Sequence, residues 1–417
     1  MVDEITDNED EITEVVDVKT AKEIFDSVKL KDDEEDQPKM TESPQVKTKI
    51  KDHSDEKIIE DTDKTQQLYA EFSSFLETKA EILCDTGTKE VISTGIDLVD
   101  AILGGGFAVG ALNIIVGQPG SGKTMLAIKT LGQAQRQYKG NLIGSFLDSE
   151  EATTTLRLSN LGVRYPKIKP YTDITVEKVF KFIEGLSVFK KEKKILDVPS
   201  VVVWDSIANT LSQKERETDD PNSVIGYKAR LLSILIPKYV AKCAQHNICF
   251  LAVNQLRDVI NIGQFAPPKD LKFMSASKDM PGGNILKFNA FQLVEMKVKS
   301  AISAGTAEDS AKYGFEGVIV KIKCVKNKLF PPNIEVPIVG SFTSGFSNFW
   351  TNYNFLKETK RLNSGAWNYL VSLPEKKFRT KDAPELYNTD DAFKIAYDAA
   401  VKEAINTEII EKFNPEV

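Results

Sequence analysis

The stretch "GQPGSGKT", residues 117–124, fits the pattern G-x-x-x-x-G-K-[ST] in full and sits between an apolar run and a helical pattern. Gly117, Gly120 and Gly122 let the backbone curl until its N–H groups face phosphate oxygens. Gln118, Pro119 and Ser121 complete that cradle. In this pattern Lys123 neutralises the β and γ phosphates, and the Thr124 hydroxyl ligates Mg²⁺. The segment therefore predicts a site for ATP with Mg²⁺.

Three further strand ends carry groups suited to the same chemistry. "VVVWDS" places Asp205 at the edge of a buried strand, where an acid holds Mg²⁺ or water. "FLDSEE" offers Asp148, Glu150 and Glu151, and hydrolysis needs a carboxylate that orients water in line with the γ-phosphate. Glu150 is the choice, against a plain reading as acids at a helix start. "VNQLR" ends a strand in Gln255, either a γ-phosphate sensor or an ordinary turn residue.

Past Gln255 comes a long polar segment, about 258–282, whose length inside a domain points to function or disorder. It interleaves Phe265 and Phe273 with Lys269, Lys272 and Lys278 and ends at Gly282 and Gly283. Aromatics among cations suit single-stranded nucleic acid; the alternative is a surface lid. A second polar loop, 212–223, has mixed charge. "CVKNKLFPP" reads as a strand end that puts Lys326 and Lys328 side by side, repelling one another. They face an anion, or they are a solvated edge-strand pair.

The elements that must position these groups alternate. Strands are predicted at "ALNIIVG", "LIGSFLD", "SVVVWDS", "ICFLAVNQ", "FNAFQLVEMKVKS" and "FEGVIVKIKCVKNK". Helices are predicted over "KTMLAIKTLGQAQRQ", 151–162, 175–188 and 223–245. Apolar strands separated by helices predict an α/β fold with a mostly parallel central sheet covered on both faces. Residues 91–343 form this ATPase core, and 344–417 a small C-terminal α/β lobe. "TQQLYAEFSSFLETKAEIL", residues 65–83 at the head of the 66–90 segment, predicts a helix that docks on a neighbouring subunit or on its own core.

Charge divides the 417-residue chain. Residues 1–66 hold 22 acids and 10 lysines, leaving 39 acids and 44 bases in the remainder, a balance of +5. The whole-chain charge of −7 thus hides a mildly basic body behind an acidic arm, 1–65, expected to be disordered. That arm either solubilises the chain, or it binds a basic partner or competes with DNA for the body's own basic surface. Four cysteines without metal spacing and two histidines argue against a zinc site or a disulfide scaffold and fit a reducing cytoplasm. The acidic start is unlike a targeting peptide, and no apolar run reaches membrane-spanning length, so no membrane partner is expected.

In chain order these pieces resemble the RecA family of recombination ATPases over about 90–340, and within it the phage UvsX-type branch. "STGIDLVDAILGGGFAVG" looks like the family's lead-in, "FLDSEE" with "NLGV" its catalytic-glutamate segment, and "VVVWDSIA" its second nucleotide motif. "VNQLR", the long loop and "GGNILKF" look like its switch glutamine, second DNA loop and following helix, adding Arg257, Asn284 and Lys287 to the DNA candidates. Pro237, mid-helix, resembles the phage branch. Lys326 and Lys328 match a "KNK" segment that in the family reaches a neighbour's ATP. The resemblance implies a filament on single-stranded DNA that pairs with homologous duplex, with loader and single-strand-binding proteins as further partners. It also implies a cytoplasmic setting, the host's if the source is viral. Two features depart from the pattern: Arg157 stands where bacterial members carry an aromatic against adenine, and the acidic arm has no counterpart. A ring helicase on the same core, or an ATP-switched assembly protein without strand exchange, are the rival readings.

Overall fold

The computed structural model describes residues 89–164, 170–258, 278–302 and 313–413. The acidic arm and the whole helix predicted over 65–83 lie outside these residues. The chain opens with strand β1 (Val91–Ile92), helix α1 (Asp97–Leu103), β2 (Phe107–Ala108), β3 (Ala111–Gly117) and α2 (Lys123–Gln137). Then follow β4 (Ile143–Asp148), α3 (Thr155–Asn160), β5 (Pro170–Tyr171), α4 (Val176–Glu192), β6 (Ser200–Asp205) and α5 (Gln213–Glu217). Next come α6 (Tyr227–Gln245), β7 (Ile248–Gln255), β8 (Arg257–Asp258), β9 (Lys278–Asp279), α7 (Asn284–Asn289), β10 (Gln292–Ile302) and β11 (Gly317–Lys326). After β12 (Glu335–Ser341) and β13 (Gly345–Ser347), the C-terminal part holds α8 (Asn348–Glu358), β14 (Leu362–Asn363), β15 (Asn368–Leu370), β16 (Leu373–Phe378), α9 (Ala383–Thr389) and α10 (Asp391–Ile405).

Nine strands form one sheet in the order β13-β12-β11-β10-β3-β7-β6-β4-β5. From β10 to β5 neighbours run parallel; from β10 to β13 they run antiparallel. The fold is the expected α/β core, with an antiparallel extension. Side chains alternate across a strand, so β3 serves two cores at once. Its Leu112, Ile114 and Val116 pack with α4 and α6, while Ile115 packs with α1, α2 and the C-terminal helices. Full burial on both faces explains why these strands read as unbroken apolar runs. Trp204 of β6 stacks on Phe250 of β7, with ring centroids 6.0 Å apart. β14, β15 and β16 form a separate three-stranded sheet whose Leu362, Leu370 and Phe378 belong to the α1/α2 core.

Among the boundaries that differ from the sequence reading, four differ for a clear local reason. The helix expected over 151–162 is only Thr155–Asn160: Glu151 sits at φ 52°, and the Asp148 carboxylate accepts the N–H groups of Glu150 and Thr153. The helix expected from 223 starts at Tyr227, because Gly226 at φ 70° separates it from a 3₁₀ turn at Pro221–Val224. Phe288 and Asn289 close α7 instead of opening β10. β11 stops at Lys326, where the Asn327 side chain donates to Ile102 O and accepts from Leu329 N. Lys328 therefore lies beyond the strand.

Candidate nucleotide site and its connections

Parallel strands deliver their C-terminal ends to one edge, and the register brings four candidate segments together there. Gly117 stands opposite Gln255, Asp205 opposite Val253, and Asp148 opposite Asp205. A cleft of about 360 Å³ opens over this edge, lined by Gly120, Lys123, Thr124, Glu150, Arg157, Asp205 and Gln255 among others. Pro119, Gly122 and Ser206 line it as well. Gly117 and Gly122 are required by space, and Gly120 by its φ of +75°. A Cβ on Gly117 would meet Met296 O at 2.5 Å. One on Gly122, at φ +84°, would meet Phe346 Cζ at 2.6 Å. Ser121 Oγ and Lys123 Nζ both donate to Gln118 O, at 2.8 Å each, which closes the loop on itself.

Thr124 Oγ1 donates to Asp205 Oδ2 at 2.5 Å. Burial pushes the Asp205 carboxyl up to about 6, with Glu150 and Asp148 adding to the rise and Thr124 and Lys123 opposing it. Burial likewise lowers Lys123, against the pull of Asp205 and Glu150. A cation beside Asp205 would answer the carboxylate, and phosphate oxygens would answer the Lys123 ammonium. A hydroxyl and a carboxylate are hard oxygen donors, the set that suits Mg²⁺ held mainly by phosphates and water. Among the described residues, no cluster of three or more His, Cys, Asp or Glu could hold a metal.

Glu150 Oε1 accepts from Asn209 Nδ2 at 2.5 Å and from Ser206 Oγ at 3.2 Å. Neither partner was singled out from the sequence; Ser206 is adjacent to Asp205, but Asn209 carries no motif. Asn254 was also missed. It is buried and donates to Pro281 O at 2.8 Å, tying the end of β7 to the residues before Gly282. The amide before Gln255 in "VNQLR" was its one visible signal.

Beyond Gln255 the chain pairs again. β8 and β9 are antiparallel, with Arg257 opposite Asp279 and Asp258 opposite Lys278, so both ends of segment 259–277 meet in a short stem. Phe265, Lys269, Lys272 and Phe273 lie outside the described residues. Gly283 precedes α7, where Lys287 is buried with Nζ donating to Asn284 Oδ1 at 3.1 Å. Lys287 and Asn284 thus brace α7.

Lys326 and Lys328 do not line the cleft. Lys326 stands opposite Leu293, which pairs with Ile114, and β11 runs away from the phosphate-loop edge. Its Nζ donates to Lys287 O at 2.9 Å and Phe288 O at 2.8 Å, at the end of α7. Lys328 Nζ lies 5.6 Å from the Phe291 ring centroid, which Lys89 Nζ approaches to 5.5 Å.

Strand order and loop position place the protein among the phosphate-loop α/β nucleotide-binding proteins. Comparison with known proteins narrows the class. The family model described as the RecA N-terminal domain matches residues 80–347, well over half of the chain. Protein RecA of Borrelia hermsii is 30% identical over 285 residues, covering 67% of this chain and 72% of its own. Protein RecA of Thermus aquaticus is 30% identical over 259 residues, covering 61% of this chain and 68% of its own. That of Trichormus variabilis is 28% identical over 279 residues, covering 67% and 70%. The chain belongs to the RecA family of recombinase ATPases.

Proposed function

We propose that the protein is an ATP-driven, Mg²⁺-dependent recombinase of the UvsX type. It assembles as a helical filament on single-stranded DNA and pairs that strand with homologous duplex. One observation carries the reading: the strand that ends in Gln255 at the nucleotide cleft continues directly into the stem of segment 259–277. A change at the γ-phosphate is two residues from Arg257 and the base of that segment.

ATP phosphates seat on the backbone amides of 117–124, with Lys123 opposing their charge. Thr124 and Asp205 would hold Mg²⁺, which would supply neutralisation of phosphate charge. Arg157, at the rim, offers a guanidinium plane to the base. Glu150 orients the attacking water and takes its proton at the carboxylate. Gln255 reads the γ-phosphate. Lys326 and Lys328, directed away from their own cleft, act on a neighbour's phosphates as arginine fingers do. Arg257, Lys278 and the cations and aromatics of 259–277, with Gly282 and Gly283, grip DNA. Exchange takes place in the cytoplasm, assisted by loader and single-strand-binding proteins. No helix among the described residues is long and apolar enough to cross a membrane.

The test is strand exchange between a circular single strand and homologous linear duplex, with ATP and Mg²⁺. Joint molecules that mature to exchanged product, and that fail with Lys123→Ala, are expected. Unwinding of a forked duplex without any homologous strand would instead make the protein a helicase. Turnover indifferent to DNA would make it an assembly switch.

A further inference from the structure

The backbone around Glu150 is fixed, but its side chain needs a separate hold. Ser149 Oγ donates to the carbonyls of Asp205 and Ser206, at 3.1 and 3.2 Å, and accepts from Ser206 N at 2.9 Å. Glu150 N donates to Asp148 Oδ1 at 3.0 Å. These bonds lock the ends of β4 and β6 together and leave the Glu150 carboxylate to rotate. What catches it is the turn after β6. Asn209 Nδ2 reaches Oε1 at 2.5 Å, and Ser206 Oγ joins it at 3.2 Å. Oε2 accepts from none of the described residues.

The turn that carries Asn209 is itself braced. Thr210 N and Oγ1 both donate to Ser206 O, at 3.1 and 2.8 Å. The indole of buried Trp204 donates to Thr210 Oγ1 at 2.7 Å. Lys228, in the first turn of α6, donates to Ala208 O at 3.1 Å. An amide on so short and tied a turn has little freedom, so it can hold its partner at a set angle.

We propose that Asn209 is a positioning residue for ATP hydrolysis: its amide occupies Glu150 Oε1 and turns Oε2 toward the attacking water. The inference rests on Glu150 being the water-orienting carboxylate. It also makes the turn between β6 and α5 part of the hydrolytic site, reached across 59 residues of chain.

Steady-state ATP hydrolysis by the full chain, saturated with homopolymeric single-stranded DNA, tests it with four variants. Asn209→Ala should lower kcat about tenfold with KM for ATP unchanged, since small misplacements of a reacting group cost about that much or more. Asn209→Asp keeps the shape but sets a second carboxylate against Glu150, so its kcat should fall below that of Asn209→Ala. Asn209→Gln keeps the amide and should exceed Asn209→Ala. A spacer role gives the opposite order, with Asn209→Asp close to wild type; that order, or an unchanged Asn209→Ala, would overturn the inference. Glu150→Gln separates the two claims. Full turnover in Glu150→Gln would remove Glu150 from its role and this inference with it. Lost turnover there, beside a wild-type Asn209→Ala, would remove Asn209 alone.

Discussion

Asp100 carries three hydrogen bonds, from Ser93 Oγ, Thr94 N and Thr94 Oγ1, yet burial still pushes its carboxyl up to about 6. Desolvation outweighs donors here. The folded value lies above the unfolded one, so the folded state binds more protons between about pH 4 and pH 6 and loses stability as pH rises through that window. Asp100→Asn does not titrate. The stability of wild type relative to Asp100→Asn should therefore drop by about 1–2 kcal/mol from about pH 5 to about pH 8. Urea unfolding of both proteins at each pH measures this, and a difference that does not move with pH would contradict it. Single residues were legible in the sequence where a motif fixed them: the phosphate loop, Asp205 and Gln255 all line one cleft. Asn209 and Asn254 were not, because their roles are contacts with residues 59 and 27 positions away. Nor was Gln292, whose buried amide accepts from Ala108 N and donates to Leu103 O and Gly106 O.

At the scale of elements, the buried central strands β3, β4, β6 and β7 were legible almost to the residue, because burial on both faces leaves a continuous apolar run. "ALNIIVG" and "ICFLAVNQ" are β3 and β7 in full. Pro237 stands inside α6 without ending it, as the pattern around it required. Helix and strand ends set by side-chain hydrogen bonds were not legible, and the end of β11 matters most. Lys326 caps the last carbonyls of α7, and Lys328 leans on Phe291, so the two lysines have separate holds within their own subunit. Their proposed work lies across a subunit boundary. Lys326→Ala/Lys328→Ala protein should bind ATP but lose cooperative turnover, by about tenfold or more. Mixing it with Glu150→Gln protein should restore part of that activity, since some interfaces then combine an intact glutamate with intact lysines. Co-assembly without any restoration would count against action in trans.

Across the whole molecule, a balance of +5 over the body is too small to hold a polyanion by net charge alone. In the proposed function, grip on DNA comes from local groups beside the nucleotide cleft: Arg257 follows the cleft residue Gln255 by two positions, and Asp258 pairs with Lys278 on the antiparallel strand of the stem. The proposed ATP and DNA groups would thereby meet at one edge of the sheet, while Lys326, at the end of β11, lies away from that edge. The composition alone, with its acidic total, pointed the other way, and only the split between arm and body corrected it. The measurement that tests this account most directly is ATP hydrolysis with and without homopolymeric single-stranded DNA, across protein concentration at fixed salt. The account predicts strong stimulation by DNA that rises cooperatively with protein. A slow rate, linear in protein and indifferent to DNA, would contradict it.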